Sequence, residues 1–122
     1  MGIPYAIVVE DDEQVAGLFQ KALQDAGYRT EIMDNGHKAQ ANLMFTSPDL
    51  VLLDLHLPSL DGGILIRQIR KQTRLVHTRV VLITGDSNLA ARYAADSDAT
   101  LVKPVGYEQV RRVAEQLSPI SL

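Results

Sequence analysis

A chain of 122 residues, 46% hydrophobic and 22% charged, has the length of one domain and the composition of an ordinary globular core. It has no cysteine, which removes zinc–thiolate sites, disulfide frameworks and thiol nucleophiles; this suits a reducing cytosol, so a cytoplasmic location is expected. A net charge of −3 without a basic tract argues against nucleic-acid binding by this chain, and no apolar run approaches a membrane span.

Short apolar runs alternate with helical patterns along the whole chain. Ala6–Val9 is apolar on both faces, as a strand covered from both sides should be, and stops at Glu10-Asp11-Asp12-Glu13. Apolar residues at Val15, Leu18, Phe19, Ala22, Leu23 and Ala26 predict a helix, with Gly27 as its stop. Arg29–Met33 alternates and reads as a half-exposed edge strand; Asn35-Gly36 is a turn, and Lys38–Phe45 a short helix ended by Ser47-Pro48. Leu50–Leu53 is a second fully apolar strand, stopped by Asp54. Asp61-Gly62 opens a helix with Leu65, Ile66 and Ile69 inward, and Arg79–Ile83 is the fourth strand, followed by Thr84-Gly85-Asp86. Leu89–Ala95 predicts a short alanine-rich helix, Ala99–Val102 the fifth strand, and Tyr107–Leu117 the last helix. Five strands alternating with five helices imply right-handed crossovers and a mostly parallel sheet with helices on both faces. Residues 1–122 read as a single domain with its core between about 5 and 117; Ser118–Leu122 adds no output domain, which fits either a stand-alone protein or a piece of a longer one.

In such sheets ligands bind beyond the carboxyl ends of the strands. Here those ends carry Glu10-Asp11-Asp12, Asp54, Thr84 and Lys103, each following an oily run. Crowded carboxylates repel, and a divalent cation with oxygen ligands relieves that repulsion. A carboxylate touching the metal is also a candidate nucleophile for phosphoryl transfer, with the metal, an ammonium and a hydroxyl neutralising the transferred oxygens. Each feature alone has a plainer meaning. An acid run at a strand-to-helix turn, or a Thr before Gly-Asp, commonly just caps a helix, and a single Asp or a Lys-Pro after a strand is commonly a turn. The conjunction is what points to chemistry.

Ile7-Val8-Val9-Glu10-Asp11-Asp12, Leu52 to Gly62, Leu82-Ile83-Thr84-Gly85 and Leu101-Val102-Lys103-Pro104 together resemble the ordered motifs of bacterial response-regulator receiver domains, over about Ala6 to Leu117. The resemblance implies a flavodoxin-like (βα)5 three-layer sandwich with strand order 2-1-3-4-5. It implies Asp54 as the acceptor of a phosphoryl group from a sensor histidine kinase or phosphotransfer protein, and a downstream effector that senses the result. It implies Mg2+ (or Mn2+) held directly by Asp11 and Asp54, through water by Glu10, and by the backbone carbonyl of His56. Lys103 would hold one phosphoryl oxygen and Thr84 another, with movement of the Thr84 loop; Asp12 would cap the first helix. A cis peptide before Pro104 and a capacity for homodimer formation are further implications; composition and charge, separately, lead to no expected membrane or nucleic-acid partner.

The departures bear on the output. The aromatic that many family members carry three places before the lysine is Thr100 here, and Val105 stands where Phe is common. The interval from Thr84 to Lys103 is shortened by about one helical turn of the fourth helix, which unsettles any transfer of dimer geometry. His56 and Asp86, two places beyond Asp54 and Thr84, are expected to meet across the mouth and restrict attacking water, the alternative being a solvent-facing His56; His37 and His77 are expected to be bystanders in solvent. A non-switching pseudo-receiver acting as an interaction module is the alternative function. A phosphatase with an aspartyl nucleophile would want a second acid where His56 stands, and a cap domain for which the chain has no spare segment.

Overall fold

The computed structural model describes residues 2–58 and 60–120. Along it run β1 (Tyr5–Val9), α1 (Glu13–Asp25), β2 (Arg29–Met33), α2 (Gly36–Leu43), β3 (Leu50–Asp54), α3 (Gly62–Lys71), β4 (Arg79–Thr84), α4 (Ser87–Tyr93), β5 (Ala99–Val102) and α5 (Tyr107–Gln116), with 3-10 turns at Thr73–Leu75 and Ala94–Asp96. The five strands form one parallel sheet in the order β2-β1-β3-β4-β5, as expected.

Alternation along the central strands divides the core in two. Ile7, Val9, Val51, Leu53, Val80 and Leu82 face α2, α3 and α4, joined by Leu65, Ile66, Ile69 and Tyr93. Ala6, Val8, Leu50, Leu52, Val81 and Ile83 face the other way, onto Phe19 and Leu23 of α1 and Val110 and Ala114 of α5. Strands covered on both faces have no polar alternation to show, which is why β1, β3 and β4 read as uninterrupted oil. Edge strand β2 keeps the half-exposed pattern instead.

Helix starts are set by caps. Asp12 accepts from the N–H groups of Gln14 and Val15 and so opens α1, as anticipated. Asn35 accepts from Lys38 N at 2.9 Å, which starts α2 at Gly36 rather than Lys38. That helix also ends earlier than expected, at Leu43, leaving Phe45 86% exposed. Likewise Asp86 accepts from Asn88 N and Leu89 N, so α4 begins at Ser87 instead of Leu89 and tightens into the 3-10 turn after Tyr93. Gly27, at φ 99°, takes the left-handed position that ends α1. The Lys103–Pro104 peptide is cis.

Candidate functional site

All five strands point their carboxyl ends at one edge, and that edge collects the polar residues that follow them. β1 delivers Glu10, whose N–H donates to Met33 O at 3.1 Å and so fixes it against β2. β3 delivers Asp54 as its last residue, only 3% exposed despite its charge. Both carboxylate oxygens of Asp54 are held: Oδ1 accepts from His56 N at 2.8 Å, and Oδ2 accepts from Lys103 Nζ at 3.0 Å. Lys103 reaches that position because its own N–H donates to Thr84 O at 2.8 Å, extending the β4–β5 ladder by one rung.

Glu10 is buried as well, 4% exposed. Its Oε1 accepts a long bond from Asp12 N at 3.4 Å, while its buried Oε2 has no hydrogen-bond partner among the described residues. Asp11 is exposed, and one carboxylate oxygen from each of Glu10, Asp11 and Asp54 lies within 4.8 Å of the others. Burial and the neighbouring Asp54 carboxylate push the Glu10 carboxyl up to about 8. Burial pushes Asp54 upward too, but the Glu10 carboxyl, the His56 N–H and the Lys103 ammonium outweigh it and hold Asp54 below the usual carboxylate range. The two carboxyl groups are thus driven in opposite directions, and charge is favoured on Asp54 over Glu10. A buried carboxyl oxygen without a donor, beside two further carboxylates, is an all-oxygen set that suits a hard divalent cation such as Mg2+.

Thr84 closes the other side. It ends β4 with no solvent exposure; its Oγ1 accepts from Asp86 N at 3.0 Å and lies 2.9 Å from His56 Nε2. The expected meeting of His56 with the Asp86 side chain is therefore corrected. Asp86 spends its carboxylate capping α4, and the His56 ring turns onto the Thr84 hydroxyl instead. His37 and His77 are both exposed. On β5, Thr100 pairs with Leu82 and is half-buried. The buried aromatic of this region is Tyr93, at the end of α4, with the Arg67 guanidinium 5.3 Å from its ring centre. Reading α4 as alanine-rich passed over it; one aromatic in a run of alanines was the available signal.

The model of the response regulator receiver domain matches residues 6–115. Among curated relatives, the probable methanogenesis regulatory protein FilR2 of Methanothrix harundinacea is 31% identical, over 91% of this chain and 79% of its own length. The DNA-binding transcriptional regulator NtrC of Salmonella typhimurium is 29% identical over 89% of this chain, but the match spans only 24% of NtrC. For RpaA of Synechocystis the spanned share is 46%. Among solved structures, chemotaxis response regulator CheY4 of Vibrio cholerae superposes with a TM-score of 0.86 at 22% identity, covering 96% of this chain and 100% of that one. TrrA of Thermotoga maritima, in complex with Mg2+ and beryllofluoride, gives 0.84 at 24% identity, covering 95% and 100%. These two likenesses are of fold; the matched span and the relatives' identity carry the family. This chain belongs to the response regulator receiver domain family of two-component signalling proteins.

Proposed function

We propose that residues 1–122 act as one receiver domain whose Asp54 accepts a phosphoryl group from a sensor histidine kinase or phosphotransfer protein, and that the phosphorylated form switches a downstream effector. The observation that carries this reading is the state of Asp54: a buried carboxylate kept ionised, with Lys103 on one oxygen and the His56 N–H on the other. An ionised carboxylate is the nucleophilic form. One Asp54 oxygen bonds to phosphorus as the bond to the donor breaks, and the donor leaves with the electron pair, giving an acyl phosphate. Mg2+, or Mn2+ in its place, would be held by Glu10, Asp11, Asp54 and the His56 carbonyl, and supplies neutralisation of the transferred oxygens.

Lys103 is already paired to the reacting carboxylate, so its ammonium needs little movement to take a phosphoryl oxygen. Thr84, fixed at the end of β4, supplies a hydroxyl for another. New charge at this edge draws in both groups, and the β4–α4 connection follows Thr84. The domain has no turnover substrate beyond the phosphoryl group it gains and loses.

The competing reading, a non-switching interaction module, draws on Thr100 and the seven-residue α4. A single experiment separates the two. The protein is incubated with Mg2+ and acetyl phosphate, and intact mass is compared with Asp54→Asn. The expected result is one added phosphoryl group on the unaltered protein, none on the variant, and none when Mg2+ is chelated. Equal labelling of both proteins removes the proposal.

A further inference from the structure

We propose that in the unphosphorylated protein His56 Nε2 accepts the Thr84 hydroxyl proton, and that this bond is a latch that activation must open. The proposal rests on the phosphoryl-acceptor reading of Asp54 and assigns its regulation to a side chain of the β3–α3 loop.

Accounting for the hydroxyl proton leads there. Thr84 has no solvent exposure, so its O–H must find an acceptor inside the protein. Among the described residues, two groups bond its oxygen. Asp86 N, at 3.0 Å, is a donor and takes one lone pair. His56 Nε2, at 2.9 Å, is then the acceptor available to the proton. If Nε2 carried a hydrogen instead, Thr84 would accept twice and its own proton would be left buried without a partner. The ring is thus protonated on Nδ1, and it places that nitrogen on an exposed residue where water can accept.

The consequence concerns switching. For Thr84 to donate to a phosphoryl oxygen, its proton must leave His56 Nε2, so the imidazole competes with the phosphoryl group for one hydrogen. Once released, the ring stands at the mouth of a cleft of about 420 Å³ between the β3–α3 loop and α4, lined also by Leu57, Leu89 and Arg92. With Thr100 in place of an aromatic on β5, His56 is a side chain whose position is tied directly to that of Thr84. It is a positioning residue, acting through Thr84.

Two measurements test this. In metal-free protein at about pH 8.5, long-range 15N–1H spectra are expected to show His56 with Nδ1 protonated and Nε2 as an acceptor. In Thr84→Val the Nε2 signal should move away from its hydrogen-bonded position, and in Thr84→Ser it should return. A wild-type ring protonated on Nε2, or a ring indifferent to Thr84→Val, overturns the latch. In the second measurement, Mg2+–beryllofluoride is titrated into three proteins. His56→Phe, which keeps a ring but no acceptor, should bind about three- to tenfold tighter than wild type, the worth of one competing hydrogen bond. His56→Gln, whose side-chain carbonyl can accept the proton, should fall back toward the wild-type value. Equal or weaker binding by His56→Phe overturns the proposal. Failure of the wild type to bind beryllofluoride overturns the phosphorylation reading, and the ring-nitrogen measurement then decides the latch by itself.

Discussion

The first three of the four consecutive acids after β1 show how neighbouring residues of one chemical type divide among different tasks. Glu10 turns inward and loses water, Asp11 stays exposed beside the carboxyl groups of Glu10 and Asp54, and Asp12 Oδ1 accepts from the N–H groups of Gln14 and Val15 at 3.0 and 3.1 Å. Substitution should separate these tasks. Asp12→Ala removes an N-cap and is expected to lower stability by about 1 kcal/mol, seen as a shifted urea midpoint, while labelling by acetyl phosphate continues. Asp11→Asn touches no cap and removes the charge of one of three crowded carboxyl groups. Its urea midpoint should hold or rise, and its labelling should require much higher Mg2+. A loss of stability in Asp11→Asn with unchanged Mg2+ dependence would show that the pair had been assigned the wrong way round.

At the scale of elements, the N-terminus of α3 is pressed against the loop that follows the acceptor strand. A Cβ added to Gly62 would lie 2.9 Å from Leu55 Cα and 3.2 Å from Asp54 O, both backbone atoms with little room to yield. Two effects oppose each other in Gly62→Ala. Alanine gains up to about 1 kcal/mol of helix propensity over glycine, less in the first turn, whereas overpacking against backbone costs about 1–3 kcal/mol. The clash should win, so Gly62→Ala is expected to unfold at lower urea than wild type, and a stabilised variant would show that α3 can back away from the site. Much of this arrangement was legible beforehand, because doubly covered strands leave unbroken apolar runs and each run here ends in the group that reaches the site. Element ends were less legible: α2 and α4 start where Asn35 and Asp86 cap them, which periodicity does not register. Least legible was which polar atom meets which. Spacing puts His56 and Asp86 at the same mouth, but only the cap on α4 shows that the Asp86 carboxylate is already engaged, leaving the His56 ring to Thr84.

For the molecule as a whole, the Asp98 network and the Asp54 site sit at opposite ends of the sheet. At the amino edge, Asp98 ties together segments far apart in the chain: its carboxylate accepts from Val80 N at 2.7 Å, Arg70 at 2.9 Å and Arg79 at 3.1 Å. Arg70 in turn donates to the carbonyls of Asp96 and Thr78, so the end of α3, the start of β4 and the approach to β5 close on one side chain that is 20% exposed. Burial alone would raise the Asp98 carboxyl, but the Val80 N–H and the two guanidinium groups prevail and hold it below the usual range. A carboxyl lowered on folding contributes stability that is present above its unfolded value, about 3.9, and is lost as pH falls through its folded value. Asp98→Asn keeps the shape and gives up the charge, leaving two guanidinium groups short of a partner; it is expected to cost about 1–3 kcal/mol at pH 7. Asp25 and Asp34 are also lowered, by Lys21 and Lys38 first of all, but they are present in both proteins and cancel in the difference. The gap in urea midpoint between wild type and variant should therefore narrow as pH falls from about 5 toward 3. A gap that stays constant would mean that the charge does not carry the contribution. Because the network lies at the far edge from Asp54, labelling of folded Asp98→Asn should match wild type. Reduced labelling at full folding would instead tie the two ends of the sheet together.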